Sequence, residues 1–296
     1  MQATEAGPSA AAFVDVHYHA DPDAYLRRHT ALRAARRYAW HGGWVVLKNH
    51  LGCTVAQSRE LRAMGLPVSG SLVLNSTAGG LDPQAVLGAV YRHGEGTGVR
   101  LVVHLPTVTG RSHRSTLVRR PCHPHMADHG IAPLTVSDEQ GRLKPAVLEI
   151  LRMARDLDFV VSTGHASAEE VRRLVDAAVD TGIPALMLNQ PANPLTGLRY
   201  EQLVELAEAP MVYTEQTALT RLLGYQDEED VRKVVTALPR ALYSSDLGQP
   251  SQPDIDSWLE LTRSWFTDFG LTDERIREVT RDVPALMLTP EGSPSR

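Results

Sequence analysis

The sequence predicts an α/β fold, a single-domain (β/α)8 TIM barrel, and three observations lead there. Eight short runs rich in Val, Leu and Ala recur along the 296 residues, at 13–19, 44–50, 67–74, 99–105, 159–165, 184–189, 211–215 and 242–246. Near-continuous apolar strands of this kind suit a parallel sheet covered on both faces. Between the runs, apolar residues return at three- and four-residue steps, the period of helices lying on a sheet. No GxGxxG turn follows the first run, so a doubly wound open sheet is disfavoured and eight strand–helix units close into a barrel.

The helical segments carry their own start signals. Thr54 with Gln57, and Ser167 with Glu170, fit a capping box, in which side chains satisfy the free N–H groups of a first turn. Asp82-Pro83 supplies an N-cap followed by proline at the first helical position. Segments 144–157 and 167–180 are amphipathic. The rhythm breaks at 107–142, a long loop after the fourth strand, expected to be either a surface insertion or a lid, since βα loops build the mouth of a barrel. The barrel domain is expected to span 11–290, with disordered tails at 1–10 and 291–296.

Composition bounds the function. Hydrophobic residues make 43%, charged residues 22%, and the net charge is −5. Those values fit a globular protein and give no reason to expect nucleic acid. Cys53 and Cys122 are too few for a disulfide framework. No basic-then-apolar leader and no apolar run of membrane length is visible, so the expectation is a cytoplasmic protein without a membrane partner. The expected partner is a small molecule; homo-oligomerisation is left open. Lysine is rare, with only Lys48, Lys144 and Lys233, and every histidine lies at or before His165.

In such a barrel, functional side chains sit at the carboxyl ends of strands. Those ends hold His17, His19, Lys48, His50, His104, His165, Asn189, Gln190, Glu215 and Asp246. On a strand, His17 and His19 share a face, and two convergent imidazoles suit Zn, Mn or Fe. The same alternation pairs Lys48 with His50. Asp246 could close a metal site and move protons. Glu215 could be an acid or base, or a structural partner. In the long loop, His113 lies among Arg111, Arg114, Arg119 and Arg120, a cluster able to clamp a carboxylate or phosphate if the loop folds over the mouth. Cys122, His123, His125 and His129 are crowded in a spacing that matches no zinc ribbon or finger.

The HxH on strand one, the histidine after strand five, the aspartate ending strand eight and the segment LTDERIREVTRDVPALMLTP together resemble the amidohydrolase superfamily of metal-dependent hydrolases. The blocks DVHYHADPD, VVLKNH, LVLNSTAGGLDP, LPT, STGHAS and SSDLGQ resemble a little-characterised bacterial group within it. The resemblance implies that His17, His19 and Asp246 hold one divalent ion, zinc ahead of manganese or iron, and that His165 binds the same ion or a second. It also implies that Asp246 relays a proton between water and leaving group. A bound cation lowers the pKa of its water from about 15.7 to about 7. The chain departs from the family pattern where strand four lacks a bridging lysine and strand six ends in Asn189 and Gln190 instead of histidine.

The resulting expectation is a metal-dependent hydrolase that sets a metal-activated water on a small polar substrate, with an anionic one left open, at an amide, lactam or cyclic imide C–N bond. Asp246, Lys48 and Glu215 are its catalytic candidates. His113, Arg111, Arg114, His50 and Asn189 are its substrate contacts. A metal-dependent lyase or decarboxylase on the same ligands, a metal-free Schiff-base enzyme using Lys48, and a binding protein without catalysis stay open as alternatives.

Overall fold

The strand–helix rhythm is the architecture found. A computed structural model describes residues 7–290. Its strands are β1 Phe13–His19, β2 Gly43–Lys48, β3 Val68–Val73, β4 Val102–His104, β5 Val160–Ser162, β6 Ala185–Leu188, β7 Val212–Thr217 and β8 Ala241–Ser244. Each pairs in parallel with the next, in sequence order. The turn after β8 then comes back to β1: Asp246 N donates to His17 O at 2.8 Å, and His19 N donates to Leu247 O at 2.9 Å. The barrel therefore closes beside His17 and His19.

Period-two alternation explains why one end of the barrel is greasy and the other polar. Val14, Val16, Trp44, Val46, Val102, Val160, Ala185, Met187, Tyr213 and Leu242 form one buried cluster, together with Val283, Ala285, Met287 and Leu288 from the C-terminal segment. That cluster is the floor, and the helix Val283–Leu288 plugs it from below. One inward position further along the strands stand Lys48, His104, Ser162, Asn189, Glu215 and Ser244, all buried. A second apolar cluster lies outside, between the sheet and helices such as Ala31–Trp40, Pro145–Leu157 and Ala168–Thr181. In β1 the pairing register shifts between Asp15 and Tyr18. This irregularity lets Val16 belong to the floor while His17 and His19 both face the site above it.

Two of the expected caps are present. Ser167 Oγ accepts from Glu170 N, and Glu170 accepts from Ser167 N at 2.8 Å, a complete capping box. Asp82 caps the helix Pro83–His93 by accepting from Gln84 N. Thr54 does not cap: its hydroxyl donates to Leu47 O at 2.8 Å and so ties the helix start to β2. Within the tail expected over 1–10, Pro8–Ala10 makes a 3-10 turn with Pro8 buried. The rest of that tail and the one at 291–296 lie outside the described residues.

Segment 107–142 is an ordered strap across the carboxyl-end face. It holds the loop after β5 through Arg111, the loop after β7 through Ser115 and Tyr225, and the loop after β1 through Leu26 N to Arg120 O and Cys122 N to Ala24 O. Ser76, after β3, donates to Ala132 O. Among the described residues, no helix is long and apolar enough to cross a membrane.

Candidate metal centre

Three donors converge at the seam between β1 and β8. His17 Nε2 and His19 Nε2 are 3.3 Å apart, and Asp246 Oδ1 lies 3.0 Å from the first and 3.4 Å from the second. For four-coordinate zinc with bonds of about 2.0–2.1 Å, the edge of the tetrahedron is roughly 3.3 Å. The donor set therefore fits a small divalent ion in both chemistry and spacing.

The far nitrogen of each ring is also committed. His17 Nδ1 lies 2.9 Å from Glu215 Oε1, and His19 Nδ1 lies 3.1 Å from Asp23 Oδ2. An ionised carboxylate only accepts, so each Nδ1 carries the hydrogen and each Nε2 of a neutral ring is left with its lone pair toward Asp246. Both carboxylates stay ionised. Burial would raise Glu215, but His17 and Lys48 hold it below its ordinary value; burial would raise Asp23, but His50, His19 and Arg27 hold it far below. Burial depresses His17, yet Asp246 and Glu215 outweigh it and lift its pKa to about 9.

Glu215 is fully engaged: it also accepts from Ser244 Oγ at 2.7 Å and from Gln190 N at 2.8 Å. These contacts place it behind the His17 ring, as the structural partner that was one of the two readings open for it. Asp23 is the residue that the sequence reading missed. It accepts from Ala24 N, His50 N, His19 Nδ1 and Arg27, all inside a buried loop. Its signal was present as an aspartate four residues after His19. Asp15 was missed as well; it accepts from Tyr38, from His17 N and from Ser245 N, and so ties the seam to the helix Ala31–Trp40.

The other expected residues divide. Lys48 is 1% exposed, donates to Asn189 Oδ1 at 2.9 Å, and is lowered by burial to about 8 against the pull of Glu215 and Asp246. His50 stacks on His19 with ring centroids 4.6 Å apart and contacts Thr107 Oγ1. With His19 and Asp23 it forms a second close group of donors, but there Asp23 is already neutralised by Arg27 at 2.5 Å. His165 does not join the three-donor group. It lies three residues beyond β5, and burial and Lys48 depress it to about 3. Gly164 enables that turn at φ +57°, since a Cβ there would stand 2.2 Å from Leu105 O. Asp246 also adopts a left-handed φ of 50°, an uncommon conformation for a non-glycine residue.

On the strap, Arg111 is not free to bind substrate: it pairs with Glu170 at 2.7 Å and donates to His165 O. Arg114 is exposed, and His113 meets Tyr225 edge to face at 5.0 Å. Arg119 lies over Tyr25 and close enough to depress His50 and His165. Cys122, His123, His125 and His129 form no ligand group among the described residues.

Residues 12–215, more than half of the chain, match the model of a family of unknown function, DUF6282. The chain belongs to that family. No curated protein matches it by sequence. Among solved structures, this DUF6282 member is similar to 2,6-dihydroxybenzoate decarboxylase from Rhizobium, with 12% identity, TM-score 0.50, 94% of this chain and 98% of that one covered. A mutant organophosphorus hydrolase from Deinococcus radiodurans gives 16% identity, TM-score 0.52 and coverage of 95% and 94%. A structure described as organophosphate hydrolysis engineered from a weak promiscuous lactonase template gives 16%, 0.52, 95% and 97%. At these identities the likeness is one of fold alone, a parallel eight-stranded barrel with helices between the strands.

Proposed function

We propose that the protein is a metal-dependent hydrolase that cleaves a C–N bond of a small amide, lactam or cyclic imide. The observation that carries this reading is the convergence of His17 Nε2, His19 Nε2 and Asp246 Oδ1 at tetrahedral spacing, with a carboxylate behind each imidazole. A divalent ion held there, zinc ahead of manganese or iron, supplies Lewis acidity and a water of lowered pKa. The protein's own part is orientation and proton transfer. Glu215 and Asp23 fix the rings. Asp246 is the most accessible of the three donors, its side chain 7% exposed against 0% and 2% for the two histidines, so it is the group placed to take a proton from water and return it to the leaving nitrogen. The strap crosses the carboxyl-end face on which these residues lie.

The test is metal content by elemental mass spectrometry on untagged protein purified without chelator, followed by an amide, lactam and imide panel. About one equivalent of metal, with turnover abolished in Asp246→Asn, is the expected result. Protein that takes up no metal even after reconstitution overturns the reading. A decarboxylase on the same donors is the second reading, supported by the barrel's likeness to 2,6-dihydroxybenzoate decarboxylase; carbon dioxide release without amine release would select it.

A further inference from the structure

Beside the three-donor group, Lys48 on β2, whose backbone pairs in register with His19, and Asn189 just past β6 form a buried pair with hydrogen-bonding capacity left over. Both are 1% exposed. Lys48 Nζ can only donate, so the Asn189 atom 2.9 Å from it must be Oδ1. That contact fixes the amide's orientation, because a flip would set its NH2 against the ammonium. Asn189 Nδ2, with two N–H donors, is consequently turned the other way and has no partner. The backbone leaves it little freedom, since Asn189 N donates to Thr163 Oγ1 and the next residue, Gln190, is pinned to Glu215 in a left-handed conformation. Lys48 has no ion pair among the described residues, so two of its three donors are also unspent. Buried donors without acceptors are uncommon in folded proteins, and an interior cluster of them points to a ligand that brings the acceptors.

We propose that the Lys48–Asn189 pair seats a carboxylate of the substrate. Resting on the hydrolase reading, this narrows the substrate class to small carboxylic acids whose scissile bond then faces His17, His19 and Asp246. The chemistry favours a carboxylate over a phosphate. One ammonium and one amide present adjacent donors to a planar two-oxygen anion, whereas the bidentate arginines that phosphate favours are on the strap, where Arg111 is already paired. A neutral carbonyl could accept the same hydrogen bonds but would bring no charge to the ammonium, which forms no direct ion pair among the described residues.

Calorimetric titration of the purified protein with malonate, malonamide, acetate and inorganic phosphate tests this, with metal content measured on each sample. Malonate should bind at least tenfold more tightly than malonamide. Asn189→Asp, which keeps the shape and the contact to Lys48 but removes the donors and adds charge, should weaken malonate at least tenfold at unchanged metal content. Lys48→Met should weaken it similarly. Unchanged malonate binding in Asn189→Asp, or phosphate binding in preference to malonate, overturns the proposal. If the protein holds no metal and malonate still depends on Asn189, the hydrolase reading fails and the carboxylate seat stands; if metal is held and malonate ignores Asn189, the seat alone fails.

Discussion

Asp23→Asn tests the support behind the metal centre more sharply than any ligand substitution. Its carboxylate collects Ala24 N and His50 N, each at 2.7 Å, on one oxygen, and His19 Nδ1 at 3.1 Å, Arg27 Nε at 2.7 Å and Arg27 Nη2 at 2.5 Å on the other. Every one of these is a donor. An asparagine keeps the shape but must turn its NH2 toward one of the two sets, and it carries no charge to balance Arg27, which is 5% exposed. Breaking a buried pair in this way costs about 3–5 kcal/mol. Loss of the carboxylate behind His19 should also weaken metal binding by about 10- to 100-fold. Urea denaturation followed by circular dichroism gives the first quantity, and competition with a chromophoric chelator gives the second. The double variant Asp23→Asn/Arg27→Met removes the stranded charge, so it should be more stable than the single variant while metal affinity stays low. A single variant destabilised by less than about 1 kcal/mol, or a double variant no better than the single, would refute the view that Asp23 balances Arg27 in the dry interior.

Glu215→Gln should lower metal affinity by about 10- to 100-fold with little change in fold, read by the same chelator competition. Gly248→Ala should disrupt the closure at β1, since a Cβ there would lie 1.9 Å from His19 O; native metal content in that variant would contradict the geometry. Arg111→Ala should make the strap sensitive to limited proteolysis, whereas exposed Arg114→Ala should change stability by no more than about 0.5 kcal/mol. Glu170, whose pKa burial would raise but which Ser137, Ser167 N and Arg111 hold below its ordinary value, gives a pH dependence. Its contribution is complete above the unfolded-state pKa and is lost as pH falls through the depressed folded value, so proteolysis of the strap should accelerate below about pH 4.5, and Glu170→Gln should show that susceptibility already at neutral pH.

The barrel was legible because parallel strands buried on both faces leave a strong trace: all eight runs became strands, although β4 and β5 keep only three residues each. His17, His19 and Asp246 were legible because strand alternation and the end of the last strand are local facts. Asp23 was not, because it lies in a loop whose path over His19 is set by Arg27 and His50. Glu215 was seen, but its role depends on a partner nearly two hundred residues away. The arginine cluster on the strap misled for a similar reason: composition shows that Arg111, Arg114 and Arg119 are close in sequence, and only the tertiary path separates the one that pairs with Glu170 from the one left in solvent.

The seam where Asp246 and Leu247 meet His17 and His19 has a consequence for how the protein is made. The two imidazoles belong to the barrel's first strand, and the carboxylate and the backbone groups that complete the barrel follow its last, so the former are synthesised long before the latter. For most of synthesis the histidines have no carboxylate across from them, and neither strand edge is satisfied. Closing so distant a contact is slow and entropically costly. A cation captured at that junction would join the first and last strands of the barrel, acting as a clasp, and loading is therefore expected to coincide with closure of the barrel and to protect it afterwards.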